Sequence, residues 1–193
     1  MLTDPWLTRW LPLLRERAGS DLLLEIGCGH GDDTAVLARA GLRVHAFDLS
    51  RVSVAVTKAR VPSACVECRD IREEFPAQAR ELGVIVASLS LHYFSWSETQ
   101  ALVQRIRSTL RPGGVFLCRL NSTQDHNFGA SGYPEVEPNF FLVNGATKRF
   151  FDEPSINLLF SDGWKRISLE HFVSYKYLKP KALWELVLER SDA

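Results

Sequence analysis

The chain has 193 residues, 46% of them apolar and 24% charged, and its 23 Lys plus Arg balance its 23 Asp plus Glu. That length and composition suit one globular domain spanning 1–193. A neutral total lacks the basic excess that neutralising many phosphates brings, which argues against nucleic acid as the main partner.

Trp6, Leu7, Trp10, Leu11, Leu13 and Leu14 recur at helical spacing. They predict an N-terminal helix within residues 1–20, with Asp4 as cap, Pro5 in its first turn and Gly19 at its end. Leu22 to Ile26 is a short apolar run that ends in glycines, as a strand buried on both faces does. Thr34 to Ala40 reads as helix closed by Gly41, Val44 to Phe47 as a strand ending at Asp48, and Ser50 opens a helix that stops near Pro62. Ala64 to Val66 and Val84 to Ser88 are the third and fourth strands. Ser97 to Leu110 is a helix with Ser97 as cap, and Val115 to Leu120 is the fifth strand. An irregular insert over 121–150 follows and exceeds usual loop length, which marks a lid or functional loop. Pro154 to Phe160 reads as a short helix, and Lys165 to Phe172 and Leu183 to Glu189 as two closing strands. This alternation implies an α/β fold with a mostly parallel sheet and helices on both faces.

No positive n-region opens the chain, and charges interrupt every apolar run before about 18 residues. The expectation is a soluble, cytoplasmic protein with no membrane partner. Cys65 and Cys68 have the spacing of half a zinc site, but no second Cys pair or His cluster completes four ligands. No metal is expected.

Ligands of such sheets sit beyond the carboxyl ends of the strands. Acids stand at three of those ends: Glu25, Asp48 and Asp70. Gly27, Gly29 and Gly31 follow Glu25 directly, and glycines there let backbone turn tightly and approach a ligand. A dinucleotide binder would show G-x-G-x-x-G facing a pyrophosphate. Here the pattern is acid-x-G-x-G-x-G followed by Asp32 and Asp33, acids that would repel a diphosphate and tolerate a cationic ligand. Asp48, about 20 residues on, suits the two hydroxyls of a ribose. The bland alternative is a glycine turn with three surface acids.

The motifs Leu24-Glu25-Ile26-Gly27-Cys28-Gly29-His30-Gly31, Val44-His45-Ala46-Phe47-Asp48-Leu49-Ser50, Arg69-Asp70-Ile71, Ala87-Ser88-Leu89-Ser90 and Leu110-Arg111-Pro112-Gly113-Gly114 cover residues 20 to 120. On these the chain resembles the class I, Rossmann-like, S-adenosylmethionine-dependent methyltransferases. The resemblance implies a seven-stranded sheet with an antiparallel last strand, supplied by Leu183 to Glu189. It implies that Glu25, Gly27, Cys28, Gly29 and Gly31 pack against the methionine part of the cofactor. Asp48 would hold the ribose, Leu49 flank the adenine, and Asp70 and Ile71 meet its amino group and ring. Ser88 and Leu89 would line the pocket near the methyl group. The Asn/Asp-Pro-Pro-Tyr motif of base N-methylating members is replaced by Ser88-Leu89-Ser90-Leu91-His92. The pattern is similar to the small-molecule branch, including tellurite-resistance-type methyltransferases.

A small-molecule acceptor would be methylated in line, with proximity and orientation as the main contributions. A general base is needed only where the nucleophile must lose a proton; His92 and Tyr93 are the candidates. Arg119, Asn121, Asp125, Tyr133 and Arg149 are the candidate substrate residues. Arg119, Asn121 and Arg149 could clamp an anion, or the two arginines could pair with insert acids such as Asp125 and Glu135. Two other functions stay open: a non-catalytic S-adenosylmethionine-binding protein, and a nicotinamide-dependent oxidoreductase on a similar fold. The acceptor, its methylated atom and the oligomeric state are not encoded in these patterns.

Overall fold

The computed structural model describes residues 6–191. The Asp4 and Pro5 cap expected for the first helix lies outside them. Within them, a 3-10 turn at Thr8–Trp10 leads into α1 (Leu11–Ala18), which Gly19 terminates. The chain then alternates β1 (Leu22–Ile26), α2 (Asp32–Arg39), β2 (Arg43–Asp48), α3 (Arg51–Arg60), β3 (Cys65–Cys68), β4 (Leu82–Ser88), α4 (Trp96–Thr109) and β5 (Leu110–Asn121). The insert supplies β6 (Glu135–Glu137), β7 (Phe140–Val143) and β8 (Ala146–Arg149), and α5 (Glu153–Leu159), β9 (Trp164–Ser174) and β10 (Lys181–Arg190) complete the fold.

The main sheet has seven strands in the order β3-β2-β1-β4-β5-β10-β9. β1 to β5 pair in parallel, and β10 runs antiparallel to both β5 and β9. The strand order reverses between β1 and β4, so the sheet's crevice opens beyond the ends of those two strands. Alternating side chains feed two cores. Leu23, Val44, Val86 and Leu117 pack under α1, α2 and α3, while Leu24, Phe47, Ile85 and Phe116 pack under α4 and α5. The strands read as continuous apolar runs because both faces are covered.

Two expectations need correction. The cap of α4 is Ser95, not Ser97: Glu98 donates its N–H to Ser95 Oγ at 3.3 Å, and Ser95 donates its N–H to Glu98 Oε2 at 3.0 Å. This reciprocal pair satisfies two donors that Ser97 could not reach. The insert is not irregular. Its strands form a three-stranded antiparallel sheet, and β7 turns into β8 through Asn144 and Gly145, both at positive φ. That two-residue turn matches strand twist.

Candidate active site

Two cavities meet at the carboxyl ends of β1 and β4, sharing Gly27, Gly29, Ser88 and Leu89. The larger, about 660 Å³, is mainly apolar and bordered by Asp48, Leu49, Asp70 and Ile71, with Phe47 and Tyr93 as aromatic walls. The smaller, about 220 Å³, is lined by charged and polar groups that include Glu25, Asp33, Arg119 and Lys176.

The glycine loop is built to be close to whatever occupies them. Gly27 and Cys28 both donate their N–H to the carbonyl of Phe47, at 2.9 and 3.1 Å. Gly27 sits at φ +74°, and a methyl group there would come within 2.5 Å of Ser90 Cβ. Gly29 has φ +52° and open space where a side chain would stand. Gly31 lines neither cavity, and its bare Cα makes room for Thr57.

Asp48 braces this loop. Its Oδ2 accepts from Gly29 N–H at 2.9 Å and its Oδ1 from Ser50 N–H at 2.8 Å. Those bonds fix the carboxylate at the cavity edge and leave it further acceptor capacity. Asp70 is held likewise by the N–H of Arg72 at 2.9 Å. Leu89, at φ +56°, forms the ridge common to both cavities, and its N–H donates to the carbonyl of Arg119 at 2.9 Å.

Glu25 is 3% exposed, and its Oε2 has no hydrogen-bond partner among the described residues. Burial, then the nearby Asp33 carboxylate, pushes its carboxyl up to about 8. A buried acid with an orphan oxygen is costly unless a ligand completes it. Arg119, 2% exposed, projects from β5 beside it, its guanidinium 5.0 Å from the Trp6 ring and 5.9 Å from that of Phe172. Trp6 donates its indole N–H to Asp33 at 2.9 Å. Cys28 lines the small cavity, but burial pushes its thiol up to about 12, so it is no nucleophile at neutral pH.

His92 and Tyr93 occupy a 3-10 turn after β4, their ring centroids 4.0 Å apart. Burial, with Lys181 and Lys148 nearby, depresses His92 to about 3. It is therefore neutral at physiological pH but a weak base. Burial, then Asp48, holds the Tyr93 phenol above its ordinary value, so it stays protonated.

The remaining substrate candidates do not line the cavities. Arg149 is ion-paired with Glu137, donates to the carbonyl of Phe94 at 3.0 Å and sits 4.7 Å from the Phe140 ring. Its charge is spent inside the insert, so the clamp expected of Arg119 and Arg149 together is not formed. Asp125 accepts from Lys181 at 2.9 Å and from Ala182 N–H at 3.2 Å, a structural pairing. Tyr133 is partly exposed ahead of β6. Asn121 is 1% exposed, with Oδ1 unpartnered among the described residues.

Sequence reasoning missed Trp6 and Ser90 as wall residues, and Lys176 and Tyr177, which the β9–β10 hairpin carries back over the glycine loop. Ser90 lies two positions beyond the end of β4, next to Leu89, which was already singled out. Lys176, whose amine pairs with Asp32 at 3.4 Å, arrives from 144 residues away and leaves no local signal. Among the described residues no group of three or more His, Cys, Asp or Glu could hold a metal ion, and no helix is long and apolar enough to cross a membrane. Cys65 and Cys68 are free and exposed on edge strand β3.

Residues 23–114 match the family model described as "Methyltransferase domain". An uncharacterised methyltransferase of Synechocystis sp. is 29% identical over 94 residues, covering 49% of this chain and 44% of that protein. The tRNA N(3)-cytidine methyltransferase METTL2 of Danio rerio is 31% identical over 159 residues, covering 72% and 43%. The chain spans 32–44% of the length of the curated relatives it matches. In fold it is similar to an S-adenosylmethionine-dependent methyltransferase from Methanosarcina mazei, with TM-score 0.79, 15% identity and coverage of 94% and 98%. One from Mesorhizobium loti gives TM-score 0.71, 20% identity and coverage of 93% and 96%.

Proposed function

From the premise that this chain carries the domain of the class I, Rossmann-like, S-adenosylmethionine-dependent methyltransferases, we propose that it binds that cofactor across both cavities and methylates a small molecule. One observation carries the reading: a large, mainly apolar cleft and a small charged cavity meet at one glycine loop. S-adenosylmethionine has the matching halves, an adenosine and a zwitterionic amino acid.

Asp48 would accept from both ribose hydroxyls, and Asp70 and Ile71 would meet the adenine, with Leu49 over its face. In the small cavity Glu25 would take the ammonium with its orphan oxygen, and Arg119 would take the carboxylate. Arg119 is thereby assigned to the cofactor and not to the acceptor. Gly27 and Gly29 let the ligand lie against backbone, and Ser88 and Leu89 set the join between its halves. When bound, the cofactor supplies an activated methyl group on a sulfonium centre. The protein's share is to hold both partners in line and keep water out, worth several kcal/mol when reacting atoms are brought to about 3–3.5 Å.

A small acceptor is supported by the neutral net charge and by the absence of the motif used for exocyclic amines of bases. The tRNA-methylating relatives favour RNA as a second reading. The test is a competition titration. The demethylated product, S-adenosylhomocysteine, binds one to one and NADH fails to displace it; tight NADH binding to the same cleft would overturn the assignment.

A further inference from the structure

No residue of the small insert sheet lines either cavity, yet that sheet holds one wall of the larger. The wall is the connection between β4 and α4, residues 89–95. Tyr93 and Phe94 both border the larger cavity. The Phe94 ring lies 5.3 Å from the guanidinium of Arg72, which borders the same cavity beside Asp70 and Ile71. A connection that faces a cavity has few partners on that side and moves unless it is tied from behind.

Three ties come from the insert. Thr147 of β8 donates its hydroxyl to the carbonyl of Tyr93 at 3.4 Å. Arg149 of β8 donates from Nε to the carbonyl of Phe94 at 3.0 Å. Glu137 of β6 accepts the N–H of Trp96, the first residue of α4, at 2.5 Å. The first N–H groups of a helix have no partner within it, so Glu137 satisfies one that the Ser95 cap leaves open.

Arg149 and Glu137 are themselves an ion pair, so two of the ties act as one unit. The guanidinium is 3% exposed, packs 5.5 Å from the Trp96 ring and 4.7 Å from that of Phe140, and donates to the carbonyl of Pro138 at 3.3 Å. A buried ion pair is a weaker source of stability than apolar packing of the same volume. What this pair adds is direction: it fixes the backbone on both sides of Ser95.

Resting on the cofactor assignment above, we infer that Arg149 and Glu137 are positioning residues for the cofactor. They hold Tyr93 and Phe94 as the wall against which its adenosine half lies, and so set its affinity without touching it. The insert is a brace behind the cleft. A wall already in its bound shape costs no ordering when the ligand arrives. The coupling is reciprocal, so the ligand must stabilise the brace in turn.

The test uses the full chain with two ligands, S-adenosylhomocysteine and methylthioadenosine, which has no amino-acid end. Arg149→Met keeps bulk between Trp96 and Phe140 and removes the donors. Calorimetry at a temperature where the variant is fully folded should show both ligands weakened by the same factor, about 10-fold. An equal loss places the effect on the adenosine wall. In wild type, S-adenosylhomocysteine should slow hydrogen exchange across residues 135–149, a readout that does not depend on the variant folding. Wild-type affinity for methylthioadenosine in folded Arg149→Met, or exchange across 135–149 unmoved by S-adenosylhomocysteine, would overturn the inference. Failure of S-adenosylhomocysteine to bind wild type is a separate result and would sink the cofactor assignment beneath it.

Discussion

Glu25→Gln should uncouple stability from pH and cofactor binding from proton release. The folded protein holds the Glu25 carboxyl near 8 against an ordinary value of 4.5, so between those values the folded state binds more protons than the unfolded chain. Stability then falls as pH rises through that window. The cost is about 3 kcal/mol at pH 7 and approaches roughly 5 kcal/mol above pH 8. A ligand ammonium beside the orphan Oε2 would favour the ionised form, so binding at pH 7 should expel close to one proton, roughly 0.9 for a group with pKa 8. Calorimetry of S-adenosylhomocysteine binding in buffers of different ionisation enthalpy reads that proton directly. In Glu25→Gln the proton should vanish, affinity should fall and the apo protein should lose its decline in Tm between pH 5 and 8. A wild-type binding enthalpy independent of buffer, or an unchanged Tm profile in the variant, would refute the reasoning.

Gly27→Ala combines a left-handed backbone with a methyl 2.5 Å from Ser90 Cβ. It should destabilise the fold by more than about 2 kcal/mol in urea denaturation and weaken S-adenosylhomocysteine binding. Arg119→Met keeps the bulk between Trp6 and Phe172 but removes the charge. It should weaken S-adenosylhomocysteine about 10-fold or more and leave methylthioadenosine, which lacks the amino-acid end, unaffected in the same titration.

Much of the main sheet was legible because each buried strand is a short apolar run punctuated by glycine or acid. Leu22–Ile26 and Leu82–Ser88 are covered on both faces, so no alternation obscured them. Glu25, Asp48 and Asp70 were legible because a parallel sheet puts strand ends on one edge. The insert was misread although Asn144-Gly145 between Val143 and Ala146 is a strong hairpin signal; the polar residues around it hid strands of three or four residues. The sequence left Arg149 open between clamping an anion and pairing with an insert acid, because its partner Glu137 is set by folding of that small sheet.

The central claim is that Asp48 holds a ribose at the edge of the larger cavity. Calorimetric titration of S-adenosylhomocysteine into wild type and Asp48→Ala tests it most directly. Loss of a charge-assisted pair of hydrogen bonds predicts an affinity about 100-fold weaker, near 3 kcal/mol, in a variant that keeps its cooperative unfolding. Equal affinity in the two proteins would contradict the account.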